Sequence, residues 1–456
     1  MPLLVRVAEG GFHALWLVAH FDPHGGGLAR GRGTDGRGAG GGELGQAGYL
    51  DCGSGVEAED PHDYVRGVYF PVELGNVFNN GRYLVLHKLG WGGYATVWLA
   101  RDTLNNTNVA LKFIRKSINT HEPAIMRHLR DSPIAHANIA HPGRKHVVQL
   151  LDDFDVSASH TCLVLDVMGK SISSRAEGFT GGRLPGHIAK EVTYQVALGL
   201  DYLWQCRVAH GDLHGGNVLF AAPTISTLSE ERLRSYLGEP ELGAVQQLNG
   251  DPVSELSVPP YLVGLRAFRG SNTEIKIVDL GAAFFHHTRP RKLHTPWHMR
   301  APEALFDRPL SPSVDMWSMG CVLFETVTGR SFISAMFTDR FSTIEEIKSY
   351  IGTPPAHWIK QLDDTARKRI VEGGLKSMDL DRYLRLAYDQ DEAALIEEDE
   401  DDYPIEEYEK AEHEFTDKEL EALSGTLSGL LRYEPALRNI PEGLLRSPWF
   451  KELNRQ

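Results

Sequence analysis

Four short segments of this 456-residue chain carry residues whose types suit phosphate chemistry. In LGWGGYATVW, Gly90, Gly92 and Gly93 fall between two strand-like stretches, where a missing side chain lets backbone N–H groups approach a phosphate closely. The spacing predicts Gly90 and Gly92 in a tight turn, and a hairpin without a ligand is the plain alternative. In VALK, Lys112 lies in an otherwise apolar strand, where burying an ammonium is costly unless an anion pairs with it. A solvated edge lysine is the alternative there. HGDLHGGNVLF gathers Asp212, His214 and Asn217 in one loop, and IKIVDLG delivers Asp279 at a strand end, followed by Gly281. Glycine turn, strand lysine, an Asp and an Asn in one loop, then an Asp after a strand is a part list for phosphoryl transfer. That reaction asks a protein mainly for positioning and neutralisation of charge.

The elements that must hold these residues are legible in the apolar pattern. YLVLHKLG, TVWLARD and NVALKFI are rich in β-branched and aromatic residues and are separated by turn formers such as Asn105 and Asn106, which predicts an antiparallel meander. Ile188, Val192, Val196, Leu200 and Leu203 recur at helical spacing, predicting a long amphipathic helix through HIAKEVTYQVALGLDYLWQ. Further helices are expected at DMWSMGCVLFETVTG and ELEALSGTLSGLL, so a small β-rich half precedes a larger helical half. Residues 1–60, with glycine dominating 24–48, are expected to be disordered, and 221–272, with Pro252, Pro259 and Pro260, reads as an insertion.

Composition narrows the function classes. Hydrophobic residues at 42% suffice for a sizeable core, and a net charge of −14 argues against general nucleic-acid binding. Cys52, Cys162, Cys206 and Cys321 are too scattered for a zinc site or a disulfide framework, which points to a reducing interior, cytoplasmic or nuclear. The apolar run 12–21 is too short to span a bilayer and lacks a cleavage site, so neither a membrane span nor a signal peptide is expected.

The ordered motifs, extended by Ala301, Pro302 and Glu303, by DMWSMG from Asp315 and by Arg438 in LRYEPALRNI, resemble the eukaryotic protein-kinase family from about Tyr83 to Phe450. LGWGGYATVWLARD, the DLG triplet and LVLDVMG are most similar to SR-protein kinases and their fungal relatives. The resemblance implies an α+β, two-lobed protein-kinase fold: an N-lobe over 83–166, a C-lobe over 167–450, and an extension at 61–82 packing on the N-lobe. It further implies a monomeric serine/threonine kinase that uses ATP and Mg²⁺ on a protein substrate, with no direct nucleic-acid or membrane partner. Lys112 would hold the α- and β-phosphates, Asn217 and Asp279 the Mg²⁺, and Asp212 would accept the substrate proton. Leu89, Gly90, Trp91, Gly92, Gly93, Val97, Ala110, Asp166 and Met168 would surround the nucleotide, with the adenine between Val97, Ala110 and a hinge at 166–168. Arg438 would pair with Glu303, and Asp315 would brace the catalytic loop.

Several positions depart from the family pattern. Ala95 replaces a frequent third glycine. Glu122 is the candidate partner of Lys112, starting a helix that continues through Ile125, Met126 and Leu129, with Pro123 tolerated in its first turn. A surface cap is the alternative for Glu122. Gly211 stands where many members have arginine, which predicts activity without phosphorylation of Thr288 or Thr295. His214 replaces lysine and is expected to be protonated beside Asp212 and the nucleotide phosphates. The acidic run 389–414 points to a basic, arginine/serine-rich substrate. HGDLHGGN also resembles the loop of aminoglycoside and choline phosphotransferases. Against that reading stands TPWHMRAPEALF with DMWSMG, a peptide-docking floor in protein kinases. A pseudokinase scaffold is the third reading, opposed by the presence of Lys112, Asp212, Asn217 and Asp279.

Overall fold

The computed structural model describes residues 56–116, 121–134, 141–247, 257–265, 273–293, 295–334, 339–373, 377–389 and 415–453, with the backbone of Leu50 and Asp51. The glycine-rich stretch, the apolar run near residue 15 and nearly all of the acidic run lie outside the described residues.

The first half is a six-stranded antiparallel sheet of β1 (Val77–Phe78), β2 (Tyr83–Gly92), β3 (Ala95–Asp102), β4 (Thr107–Arg115), β5 (Leu150–Asp155) and β6 (His160–Leu165), in the order β1-β2-β3-β4-β6-β5. Successive residues of a strand point to opposite faces. Trp98, Ala100, Val109, Leu111 and Phe113 accordingly join one core cluster, whereas Leu89, Val97, Leu99 and Ala110 join another. Both faces are covered, so these strands read as continuous apolar runs rather than as an alternation. Pairing of β2 with β3 runs on to Gly92 opposite Ala95, with a register shift between Lys88 and Gly90. Gly90 and Gly92 are therefore strand residues, contrary to the expected turn, because the hairpin closes only at Gly93 and Tyr94. Helix α1 (Glu122–Asp131) carries Pro123 in its first turn and buries Glu122, Ile125, Met126 and Leu129.

The second half is helical. Helix α2 (Gly186–Gln205) buries the predicted apolar face and packs on the later helix over Val314–Thr328. A three-stranded antiparallel sheet, β7 (Met168–Ser171), β8 (Val218–Ala221) and β11 (Ile275–Ile277) with β8 central, lies beside α2 and carries the 210–217 and Asp279 segments. Between β8 and β11 come α3 (Pro223–Thr227), α4 (Glu230–Leu237) and a hairpin of β9 (Leu242–Ala244) with β10 (Tyr261–Val263). Ile225, Leu233 and Leu237 pack with Leu99 and Ala110, and Asn108 Nδ2 donates to the Ile225 carbonyl at 2.7 Å, so this segment joins the strand-rich half to the helical one. Helices α5 (Val314–Thr328) and α6 (Asp417–Leu430) complete the core around Trp317, Leu323, Leu427 and Phe450. Thr416 and Glu419 form a reciprocal cap at the start of α6, satisfying backbone N–H groups that the helix leaves unpaired.

The segment before β1 packs on the sheet. Phe70 stacks on Phe113 with ring centroids 5.7 Å apart, and Val72 is buried in the same cluster. Glu59, expected within a disordered tail, is buried against Tyr64 and Lys88, so the packed chain includes residues before the expected boundary at 60. A buried carboxylate needs a cation and a donor, and both lie in the folded domain.

Candidate active site

The cleft between the two halves is walled by Leu89, Val97 and Ala110 above and by Leu219 and Val278 below. Asp166 and Met168 also line it, and Lys112, Glu122 and Asp279 stand together there. The Asp166 carboxylate accepts from Lys276 Nζ at 2.5 Å, tying this segment to β11.

Lys112 on β4 donates to Glu122 Oε1 at 2.7 Å and to Asp279 Oδ1 at 2.8 Å. Burial disfavours the ammonium, but the two carboxylates outweigh it and raise its proton affinity. Burial likewise opposes ionisation of Asp279, and Lys112 overcomes it, holding that carboxyl below its ordinary value. Glu122 is pushed upward by burial, with Lys112 opposing. Asp279 itself has φ 61°, a left-handed conformation that costs a non-glycine residue energy, and its side chain accepts from Gly281 N–H. The turn so formed aims the carboxylate back at Lys112.

The 210–217 loop is fixed by buried hydrogen bonds. Asp315 Oδ2 and Oδ1 accept from the N–H groups of His210 at 2.7 Å and Gly211 at 2.8 Å. His210 Nδ1 accepts from Asp212 N–H, so its Nε2 carries the proton given to the Val278 carbonyl at 2.9 Å. Asn217 Nδ2 donates to the Asp212 carbonyl at 2.9 Å, and Val278 N–H to the Asn217 carbonyl at 2.9 Å. Asp212, Asn217 and Asp279 are thus held in one network. Gly211 has φ +78°, and a Cβ there would lie 2.6 Å from the Ala282 carbonyl oxygen, so a side chain requires the backbone to shift. Thr295, an expected modification candidate, is buried and donates to the Gly211 carbonyl at 2.9 Å.

The protein's own groups favour an uncharged His214. Burial is the largest influence and, with the nearby His210, pushes its proton affinity down to about 4, overcoming the opposing pull of Asp279. Its Nδ1 accepts from Gly216 N–H at 3.1 Å, which places the ring proton on Nε2, 4.0 Å from Asp212 Oδ2. The ring is therefore neutral at ordinary pH and braces the loop through Gly216.

Leu89, Val97, Ala110, Lys112, Glu122, Asp166, Met168 and Asp279 all line the cleft. Gly90, Trp91, Gly92 and Gly93 form the hairpin end instead of its wall, and Asp212, His214 and Asn217 lie in the adjoining loop, represented in the wall by Gly216. Sequence reasoning missed Met126, Val148, Leu165, Lys170, Ser174, Leu219 and Val278 as wall residues. Met126 could have been found four residues after Glu122 on one helix face, and Leu219 by alternation beyond Asn217. Val148 carries no local signal. Away from the cleft, Arg438 makes a two-pronged pair with Glu303, at 2.7 Å and 2.5 Å, and both side chains are fully buried.

A strand-rich lobe over a helical lobe, with a shared lysine and a braced Asp–Asn loop at their junction, defines the protein kinase class. The chain belongs to the protein kinase domain family, whose model matches residues 83–234 and 265–450. It is similar to Protein kinase dsk1 of Schizosaccharomyces pombe, 25% identical over 87% of this chain and 85% of that one. Serine/threonine-protein kinase SRPK of Physarum polycephalum is 26% identical over 87% and 92% of the two chains. SRSF protein kinase 3 of Mus musculus is 39% identical, over 36% of this chain and 29% of that kinase. A solved kinase-domain structure superposes with a TM-score of 0.58 at 20% identity, covering 85% of this chain and all of the other, which is a likeness of fold.

Proposed function

We propose that this chain is a serine/threonine protein kinase that transfers the γ-phosphoryl group of ATP to serine or threonine hydroxyls of basic, arginine/serine-rich proteins. The observation that carries the reading is Lys112 held between Glu122 and Asp279 at the end of an apolar cleft beside the Asp212–Asn217 loop. That cleft suits a flat base between Leu89, Val97, Ala110 and Leu219, and the ammonium suits the phosphates behind it. The Asp279 carboxylate and the Asn217 amide oxygen are hard donors of the kind Mg²⁺ takes, and when bound the ion neutralises developing phosphate charge.

Lys112 orients the α- and β-phosphates. Asp212 accepts the proton of the substrate hydroxyl as its oxygen bonds to the γ-phosphorus and the bond to the β,γ-bridging oxygen breaks, releasing ADP. His214 and Asp315 hold the loop that presents Asp212. The packed segment Trp297–Met299, Pro302–Leu305 and α5 supplies a floor for a peptide, which favours a protein over a small-molecule acceptor. Two observations support basic substrates: the acidic stretch 389–414 of the sequence, and a relative whose name designates SRSF proteins. The cytoplasm or nucleus fits the buried free thiols of Cys162, Cys206 and Cys321. Among the described residues no helix is long and apolar enough to cross a membrane. The test is phosphate transfer from ATP and Mg²⁺ to arginine/serine peptides, with acidic serine peptides as the comparison. Equal rates on both would reject the substrate class, and no transfer to either would reject the activity.

A further inference from the structure

Lys88 and Glu59 form an ion pair in which both side chains are fully buried, on the side of the sheet away from the nucleotide cleft. The Lys88 ammonium lies 5.5 Å from the Trp91 ring centre and 5.3 Å from that of Trp98, within cation–π reach of both. Tyr64 donates its hydroxyl to the same Glu59 carboxylate and packs edge-to-face on Tyr69, with ring centroids 5.4 Å apart. Tyr69 in turn donates its hydroxyl to the Gly92 carbonyl at 2.8 Å. Residues 59–69 therefore grip the β2–β3 hairpin at Lys88 and at Gly92.

A buried ion pair is a poor source of stability, since apolar replacements of similar volume are often as stable or more so, but its geometry is exacting. The grip has a firm base: Tyr64 and Tyr69 share a cluster with Val245, Val258 and Leu262, and Leu74 N–H donates to Tyr261 Oη at 3.2 Å. Leu89, the next residue after Lys88, lines the cleft from the opposite face. We propose that Glu59 and Tyr69 are positioning residues that set the height of the hairpin end over the nucleotide phosphates. This rests on the ATP-dependent reading above.

Tyr69→Phe removes one hydroxyl and nothing else. Loss of one hydrogen bond corresponds to on the order of a 3- to 10-fold change in an equilibrium. The KM for ATP should rise by about that factor, with the peptide KM unchanged and kcat within about twofold. Glu59→Gln should move the ATP KM in the same direction. Tyr83→Phe, which loses the hydroxyl bonded to Asp152 Oδ2 at 2.8 Å elsewhere on the lobe, is the control and should leave the ATP KM unaltered. In nucleotide-free protein, Tyr69→Phe should speed amide hydrogen exchange over residues 90–95 by a similar factor. Unchanged exchange there, or an ATP KM that moves equally in Tyr69→Phe and Tyr83→Phe, overturns the proposal. A wild-type chain that binds no nucleotide overturns the kinase reading instead, and the exchange measurement still decides whether the grip exists.

Discussion

Burial holds the His214 ring neutral at ordinary pH, and protonating it should weaken the fold by a predictable amount. A decade of proton affinity corresponds to about 1.4 kcal/mol, so lowering the ring from its ordinary 6.5 to about 4 makes charging it cost roughly 3 kcal/mol. Because the folded value is the depressed one, the unfolded chain binds more protons between these limits. Stability is therefore intact above about pH 6.5 and is lost as the pH falls toward 4. At pH 5 the loss amounts to about 2 kcal/mol. The perturbation is His214→Asn, whose amide oxygen can still accept from Gly216 N–H but cannot take up a proton. Urea unfolding of both proteins between pH 7.5 and pH 4.5 should show the wild type falling below the variant by that margin. His298, also pushed down to about 4 by burial and then by His214, is common to both proteins and largely cancels. Parallel profiles for the two proteins, or an imidazolium NMR signature for His214 near pH 7, would refute the reasoning.

Three further outcomes follow from the geometry. Arg438→Ala strands Glu303 in a fully buried site and should cost about 3–5 kcal/mol by urea unfolding, whereas an effect below about 1 kcal/mol would show the pair to be solvated. Lys112→Met should lower phosphate transfer by at least about 100-fold while the protein stays folded by circular dichroism; activity within tenfold of wild type would remove Lys112 from its proposed role. Thr295→Ala loses the bond to the Gly211 carbonyl and should cost about 1 kcal/mol, and the Thr288→Ala/Thr295→Ala double variant should stay active, since a buried Thr295 is closed to a modifying enzyme. An inactive but folded double variant would contradict that.

Most elements were legible because each is specified locally. The face of α2 follows from apolar residues every three or four positions, and the turn before β4 from Asn105 and Asn106, with Asn106 at φ 55°. The contacts of the site were not legible in the same way. Lys112 and Asp279 are 167 residues apart, and only their types and order announced the pairing. The charge of His214 was legible only in part, because adjacent anions are visible in a sequence and desolvation is not. Burial is a sum over many distant neighbours, and here it outweighs a nearby Asp279. Glu59 was placed in a tail for a related reason, since nothing near it in the chain announces a cation at position 88.

Lys88 shows how far the criterion used for Lys112 reaches. Each is a lysine within an apolar strand, so the cost of burying an ammonium marks both as needing an anion. What separates them is register on β3: Lys88 lies opposite Trp98, and Lys112 lies opposite Val97. Neighbouring residues of one strand face opposite sides of the sheet, so the two ammonium groups must point to opposite faces. One side is the cleft, where Glu122 and Asp279 meet Lys112 next to the place for a phosphate. The other is covered by chain from before the sheet, and Glu59 arrives with it. A charge in an apolar strand therefore states that an anion is required, and the register of the neighbouring strand decides which face of the sheet must supply it.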